Sequence, residues 1–95
     1  MAEARGVVSV NDERVRVTTW TFDGAGAATG QHRHEFDYLV VPITGGTFTV
    51  IDLDGAELEM NQIAGSPYVG TAATAHDVVN ATDREAVFVE IELKR

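Results

Sequence analysis

The sequence predicts an all-β domain, a sandwich or small barrel of roughly eight strands. Short runs rich in Val, Ile, Thr and aromatics recur along the chain, separated by turn residues. Asp54-Gly55 lies between alternating flanks, the pattern of a tight hairpin. No segment combines apolar residues at helical spacing with capping residues. The chain has 95 residues, without linker, internal repeat or low-complexity stretch, so 1–95 reads as a single domain. A domain of this size buries only about 60–65% of its unfolded surface, which leaves a role for a partner chain.

The elements follow in order. GVVSV (6–10) is an N-terminal strand, and a candidate to pair with another subunit. RVRVTTWTF (14–22) alternates, with Val15 and Val17 on one parity and Trp20 and Phe22 on the other. A bulge near Thr18 and Thr19 would bring both sets to one face. DGAGAATG (23–30) is a loop, because its residues are small and flexible. FDYLVV (36–41) is a strand that ends at Pro42, and ITGGTFTVID (43–52) is a Gly-Gly turn and a strand. LDGAELEM (53–60) supplies the hairpin, NQIAGSPY (61–68) is turn-rich, and HDVVNATD (76–83) is a strand entering a turn. In EAVFVEIEL (85–93), Val87, Val89, Ile91 and Leu93 share a face, which leaves Glu90 and Glu92 to a solvated one. A barrel of such strands can hold one small ligand.

Composition narrows the function classes. The formal charge is −8, and the seven Lys and Arg residues form no patch, which argues against a nucleic-acid partner. There is no cysteine, so no disulfide and no thiolate metal site. MAEARGVVSV lacks the apolar core of a signal peptide. No run approaches the roughly 20 apolar residues of a membrane helix. A cytoplasmic protein with a small-molecule ligand and no membrane partner is the expectation.

Two of the three histidines stand in TGQHRHEFDYLVV (29–41). If this run is a strand, His32 and His34 point to the same face. Their Cα atoms are then about 6.6 Å apart, close enough for two imidazoles to share one ion. Arg33 and Glu35 point away. The remaining histidine, His76, begins a later strand that a barrel can bring alongside.

The spacing resembles the two motifs of the cupin family. The first motif is a glycine, five residues, His-x-His, three or four residues, a glutamate, six residues and a glycine. Here these places hold Gly26, His32, His34, Tyr38 and Gly45. The second motif begins at Gly65, with His76 and Asn80 at its histidine and asparagine places. The resemblance spans 26–80 and implies a jelly-roll β-barrel with His32, His34 and His76 as ligands of a divalent transition metal. It also implies a homodimer, since small cupins often pair. Three places depart from the pattern: Tyr38 replaces the glutamate, Thr71 the proline and Ala73 the glycine. Alanine in a glycine place puts that turn's conformation in question.

Tyr38 shares the histidines' parity and is the candidate catalytic group, hydrogen-bonding a ligand on the ion. Its phenol, with an ordinary pKa of about 10, is a poor ligand itself. Glu35 and Asp37 are the nearby carboxylates for a fourth ligand. Trp20, Phe22 and Tyr68 are further substrate-binding candidates, and Arg33 a rim residue for a substrate carboxylate. Val78 packs inside, and Asn80 supports a turn. A three-histidine iron site resembles the cupin thiol and diketone dioxygenases, so Fe(II) leads, with Zn, Ni, Mn and Cu as alternatives. The rival readings are a metal-dependent isomerase or lyase, a non-catalytic ligand-binding module, and a structural metal. A structural zinc site usually closes with four protein ligands, whereas three are evident here.

Overall fold

In the computed structural model, which describes residues 3–95, nine strands form two antiparallel sheets. The five-stranded sheet runs β1 (Arg5–Asn11), β2 (Val15–Phe22), β9 (Ala86–Leu93), β4 (Asp37–Pro42) and β7 (Tyr68–Gly70). The four-stranded sheet runs β3 (His32–Arg33), β8 (Ala75–Asn80), β5 (Gly46–Asp52) and β6 (Glu57–Gln62). The chain changes sheet at every connection except β1–β2 and β5–β6. That is a jelly roll, in agreement with the expected all-β class. The Asp54-Gly55 hairpin forms as expected: Asp52 Oδ1 accepts from the amides of Asp54 and Ala56, at 2.9 and 3.0 Å.

The inner faces change character along the barrel axis. On β9 the inward residues run Ala86, Phe88, Glu90, Glu92, and beside them β2 runs Phe22, Trp20, Thr18, Arg16. The apolar end is filled by Phe22, Phe48 and Phe88, with ring centroids 5.1 to 5.7 Å apart. Val40, Val78, Ala27 and Ala86 complete this core. Such ring pairs add about 0.5–1.5 kcal/mol beyond their area burial. The other end is polar and holds the histidines.

Three expectations are corrected. β2 pairs with β9 without a break from Val15 to Phe22, so there is no bulge at Thr18 and Thr19. Val15 and Val17 face outward, and the register shift falls in β1, between Val8 and Val10. Glu90 and Glu92 are buried rather than solvated, at 9% and 6% exposure, and Val87, Val89 and Ile91 take the outer face. Both faces of β9 carry apolar residues, so alternation alone could not say which is inside. Third, 29–41 is not one strand: β3 is two residues long, and the chain crosses to the other sheet before β4.

The outward valines form part of a larger surface. Val10, Val17, Ile91, Leu39 and Val69 follow one another in register across all five strands. Val7, Val10 and Val69 are exposed there, at 64%, 43% and 66%. Strand β1 pairs with β2 within the chain.

Candidate metal centre

The cluster is built by strand pairing at the polar end. β3 and β8 pair with His32 opposite His76. After Arg33 the backbone turns, and two hydrogen bonds hold His34 to the loop before β8. The His34 amide donates to Thr74 O at 2.9 Å, and the Ala73 amide donates to His34 O at 2.8 Å. Ala73 has φ 73°, so it keeps the left-handed turn expected of glycine. For a residue with a Cβ this costs about 1–2 kcal/mol.

The three rings converge through the same atom. Nε2 of His34 lies 3.2 Å from Nε2 of His32 and 3.2 Å from Nε2 of His76. The ring planes cross at 73° to 88°. Nitrogen ligands at about 2.05 Å from one ion are separated by about 2.9 Å at octahedral and about 3.3 Å at tetrahedral angles. The observed separations fall between these values. His32 Nδ1 lies 2.8 Å from Gly30 O, which can only accept. The proton is therefore on Nδ1, and the Nε2 lone pair faces its neighbours. Burial, then the charges of His32 and His76, lowers the His34 pKa to about 4. Burial and His32 lower that of His76 to about 4 as well. Both are neutral near pH 7, the form that binds metal. The cluster and its donor chemistry are compatible with a divalent ion.

Tyr38, 5% exposed, stacks on His34 with ring centroids 3.9 Å apart and planes at 20°. Burial pushes its phenol up to about 12. Its far side meets β7, where Tyr38 is paired with Gly70. A Cβ at Gly70 would overlap Cζ, Cε2 and the hydroxyl of Tyr38, so the ring lies in a slot that only glycine leaves open.

The carboxylates nearest the cluster come from β9. Glu90, Glu92 and His34 offer ligand atoms within 4.8 Å of one another. Arg16 grips Glu92 with two charge-assisted bonds, at 2.5 and 2.7 Å, which lower the carboxyl's pKa. Burial, then Glu92, raises Glu90 to about 7, opposed by Trp20 and Arg16. Glu35 and Asp37 are exposed, and Asp37 Oδ1 accepts from the Ala72 amide at 2.8 Å. Neither belongs to the cluster. Alternation in the sequence puts Glu90 and Glu92 on a solvated face and does not mark them as site residues. Phe88, which shares their parity, was the one signal that their face turns inward.

An open cleft of about 340 Å³ leads to the histidines, lined by Trp20, Arg16, Arg33 and Glu92 among others. Behind it is a cavity of about 20 Å³, lined by Trp20, Tyr38, His32, His76, Phe88 and Glu90. Of the substrate-binding candidates, Trp20 and Tyr38 thus reach the site. Phe22 is wholly buried in the aromatic core. Tyr68 lines a separate groove of about 270 Å³ with Met60 and Gln62. Its hydroxyl accepts from Gln62 Nε2 at 2.9 Å and lies 3.3 Å from Met60 Sδ. Asn80 ties a turn, bonding Thr82 and Arg84 O.

Two antiparallel sheets around a three-histidine cluster at one end define a double-stranded β-helix protein with a cluster that could hold a metal ion. No sequence-family model matches the chain. A β-alanine degradation protein, BauB of Pseudomonas aeruginosa, is 42% identical over 92 residues, covering 97% of this chain and 95% of that protein. A crystal structure of a cupin domain from Bordetella pertussis is 39% identical, with a TM-score of 0.93, covering 99% of this chain and 96% of that one. A cupin superfamily protein from Desulfitobacterium hafniense shares the fold at 13% identity and TM-score 0.72, covering 97% of this chain and 78% of that one. The chain belongs to the cupins.

Proposed function

We propose that this cupin is a metal-dependent enzyme acting on a small molecule, with a non-haem Fe(II) dioxygenase as the leading form. The observation that carries the reading is the convergence of three imidazole Nε2 atoms, that of His34 lying 3.2 Å from each of the other two, at the end of a cleft wide enough for a small substrate. His32, His34 and His76 would hold the ion. Three neutral ligands leave its charge and several coordination positions open to substrate. When bound, a divalent ion supplies Lewis-acid chemistry and, as Fe(II), the one-electron chemistry that O₂ activation needs.

The chain's own residues do the rest. Gly30 O fixes the tautomer of His32, and Tyr38 holds the plane of His34. Trp20 and Phe88 keep water from one side of the site. Arg33, exposed at the mouth, is placed to receive a substrate carboxylate. The name of the BauB relative makes β-alanine and the three-carbon acids derived from it the first compounds to try.

Metal analysis of gently purified protein tests the first step: about one ion per chain, lost in His34→Ala. Metal-free wild type after loading would sink it. Oxygen uptake by the Fe(II)-loaded protein, offered short amino and keto acids, thiols and diketones, tests the second. A compound that binds tightly without uptake or conversion would make the protein a binding module. Conversion without uptake would favour an isomerase or lyase.

The apolar ladder on the outer face of the five-stranded sheet supports a homodimer. Its five residues are uncharged in a chain of net charge −8, with Asp37 at the margin beyond Leu39, so two copies can meet there on apolar contacts. Ile91→Glu should convert the dimer to a monomer in light scattering; an unchanged mass would place the contact elsewhere.

A further inference from the structure

The family's glutamate place is filled by an aromatic ring, and the carboxylates on the cluster's own strands are engaged elsewhere: Asp77 accepts from the Gly30 amide and Asp37 from the Ala72 amide. Strand β9 offers another. Glu90 is 9% exposed; the Trp20 side chain hydrogen-bonds its carboxylate, but no basic side chain among the described residues is ion-paired with it. Arg16, the basic side chain lining the same inner face, is committed to Glu92 by both of its bonds. Glu90 shares a wall of the 20 Å³ cavity with His32 and His76, and its carboxylate lies within 4.8 Å of a ligand nitrogen of His34. A cavity of this size holds one water-sized group, since about 10–15 Å³ suffices for a water. A buried carboxylate without an ion-pair partner costs a fold stability unless it is protonated or a cation compensates it.

We propose that Glu90 is the carboxylate of this metal centre, delivered from the last strand in place of the one missing from β4. It accepts a hydrogen bond from the water or substrate group that occupies the cavity between it and the ion, and it offsets part of the ion's positive charge. Tyr38 and Glu90 thereby divide what one glutamate would do. The ring holds His34 in place, and the carboxylate supplies charge. The inference rests on the three-histidine reading above.

The experiment compares wild type, Glu90→Gln and the surface control Glu59→Gln. Zn(II) or Co(II) affinity is measured by competition with a chelating dye, and the melting temperature of each metal-free protein by calorimetry. Glutamine keeps the shape and removes the charge. Glu90→Gln should bind metal at least tenfold more weakly while its metal-free form melts no lower than wild type. Removal of a partner just outside a metal's ligands typically costs about 10–100-fold. The visible spectrum of bound Co(II) should also differ from wild type. A variant that binds within twofold of wild type with an unchanged spectrum would overturn the proposal. If Glu90→Gln does not fold, Glu90→Asp, which withdraws the charge by one carbon, should weaken binding in the same direction. Unaltered affinity there would likewise overturn it. Wild type that binds no metal would instead defeat the three-histidine reading, and this inference with it.

Discussion

Gly70→Ala is expected to destabilise the protein and loosen its metal site through Tyr38. Glycine to alanine within a strand is ordinarily mildly favourable, by about 0.5–1 kcal/mol. Here the added methyl would occupy the space of the Tyr38 ring, which cannot swing away because His34 lies 3.9 Å behind it. Overpacking of this kind costs about 1–3 kcal/mol. For a domain of this length the unfolding entropy converts each kcal/mol into about 5 °C, so the melting temperature should fall by about 5–15 °C. The displaced ring presses on His34, so metal affinity should drop in parallel. The assay is urea unfolding of Gly70→Ala alone and in a Tyr38→Leu background, where the ring is gone. The cost should vanish or reverse in the second case, giving a coupling of about 1 kcal/mol or more. A cost below about 0.5 kcal/mol in the wild-type background, or equal costs in both, would refute the packing argument.

Other outcomes follow from the same geometry. Ala73→Gly should raise stability by up to about 1 kcal/mol in urea unfolding, because relief of the left-handed strain exceeds the entropy that glycine adds. Arg16→Ala leaves Glu92 buried beside Glu90 without its cation. It should cost about 1–3 kcal/mol, below the range for a fully buried pair because Arg16 is one-third exposed. The metal-free protein should lose stability in acid as the unfolded chain binds protons that the folded His34 and His76 refuse. Their folded pKa values of about 4 lie below the ordinary 6.5, so the contribution is complete above pH 6.5 and lost as the pH falls toward 4. Glu90 works in the opposite direction. Its folded pKa of about 7 lies above the ordinary 4.5, so its contribution is complete below pH 4.5 and lost as the pH rises to about 7. Melting curves of Glu90→Gln from pH 4 to 8 should therefore retain the acid loss and lack the loss toward neutrality.

Much of the site was legible. His32 and His34 are held close by two covalent steps of chain, and the motif spacing marked His76 as their companion. The expectation of a jelly roll also came through that spacing. Other parts were hidden. The break between β3 and β4 follows from the crossing to the opposite sheet, which leaves no local mark in RHEFD. Parity along a single strand puts Tyr38 inside. It is inside, but it reaches there from the other sheet, which is why it stacks on His34 rather than pointing alongside it. Tyr68 belongs to the second motif region yet turns to Gln62 and Met60, because it pairs with Val40 of the apolar core, two residues along β7 from the Gly70 that meets Tyr38.

The division has a physical basis. Side-chain alternation and turn chemistry are local, so the sequence alone determined that this chain makes short antiparallel strands and which residues share each face. The choice of the inward face is settled by what the opposite sheet and neighbouring strands present. On β9 the branched Val87, Val89 and Ile91 turned outward, and Phe88, Glu90 and Glu92 inward. Only the tertiary structure could decide this, because Arg16 of β2 and the histidines of the other sheet make the inside of this end polar enough to receive two carboxylates.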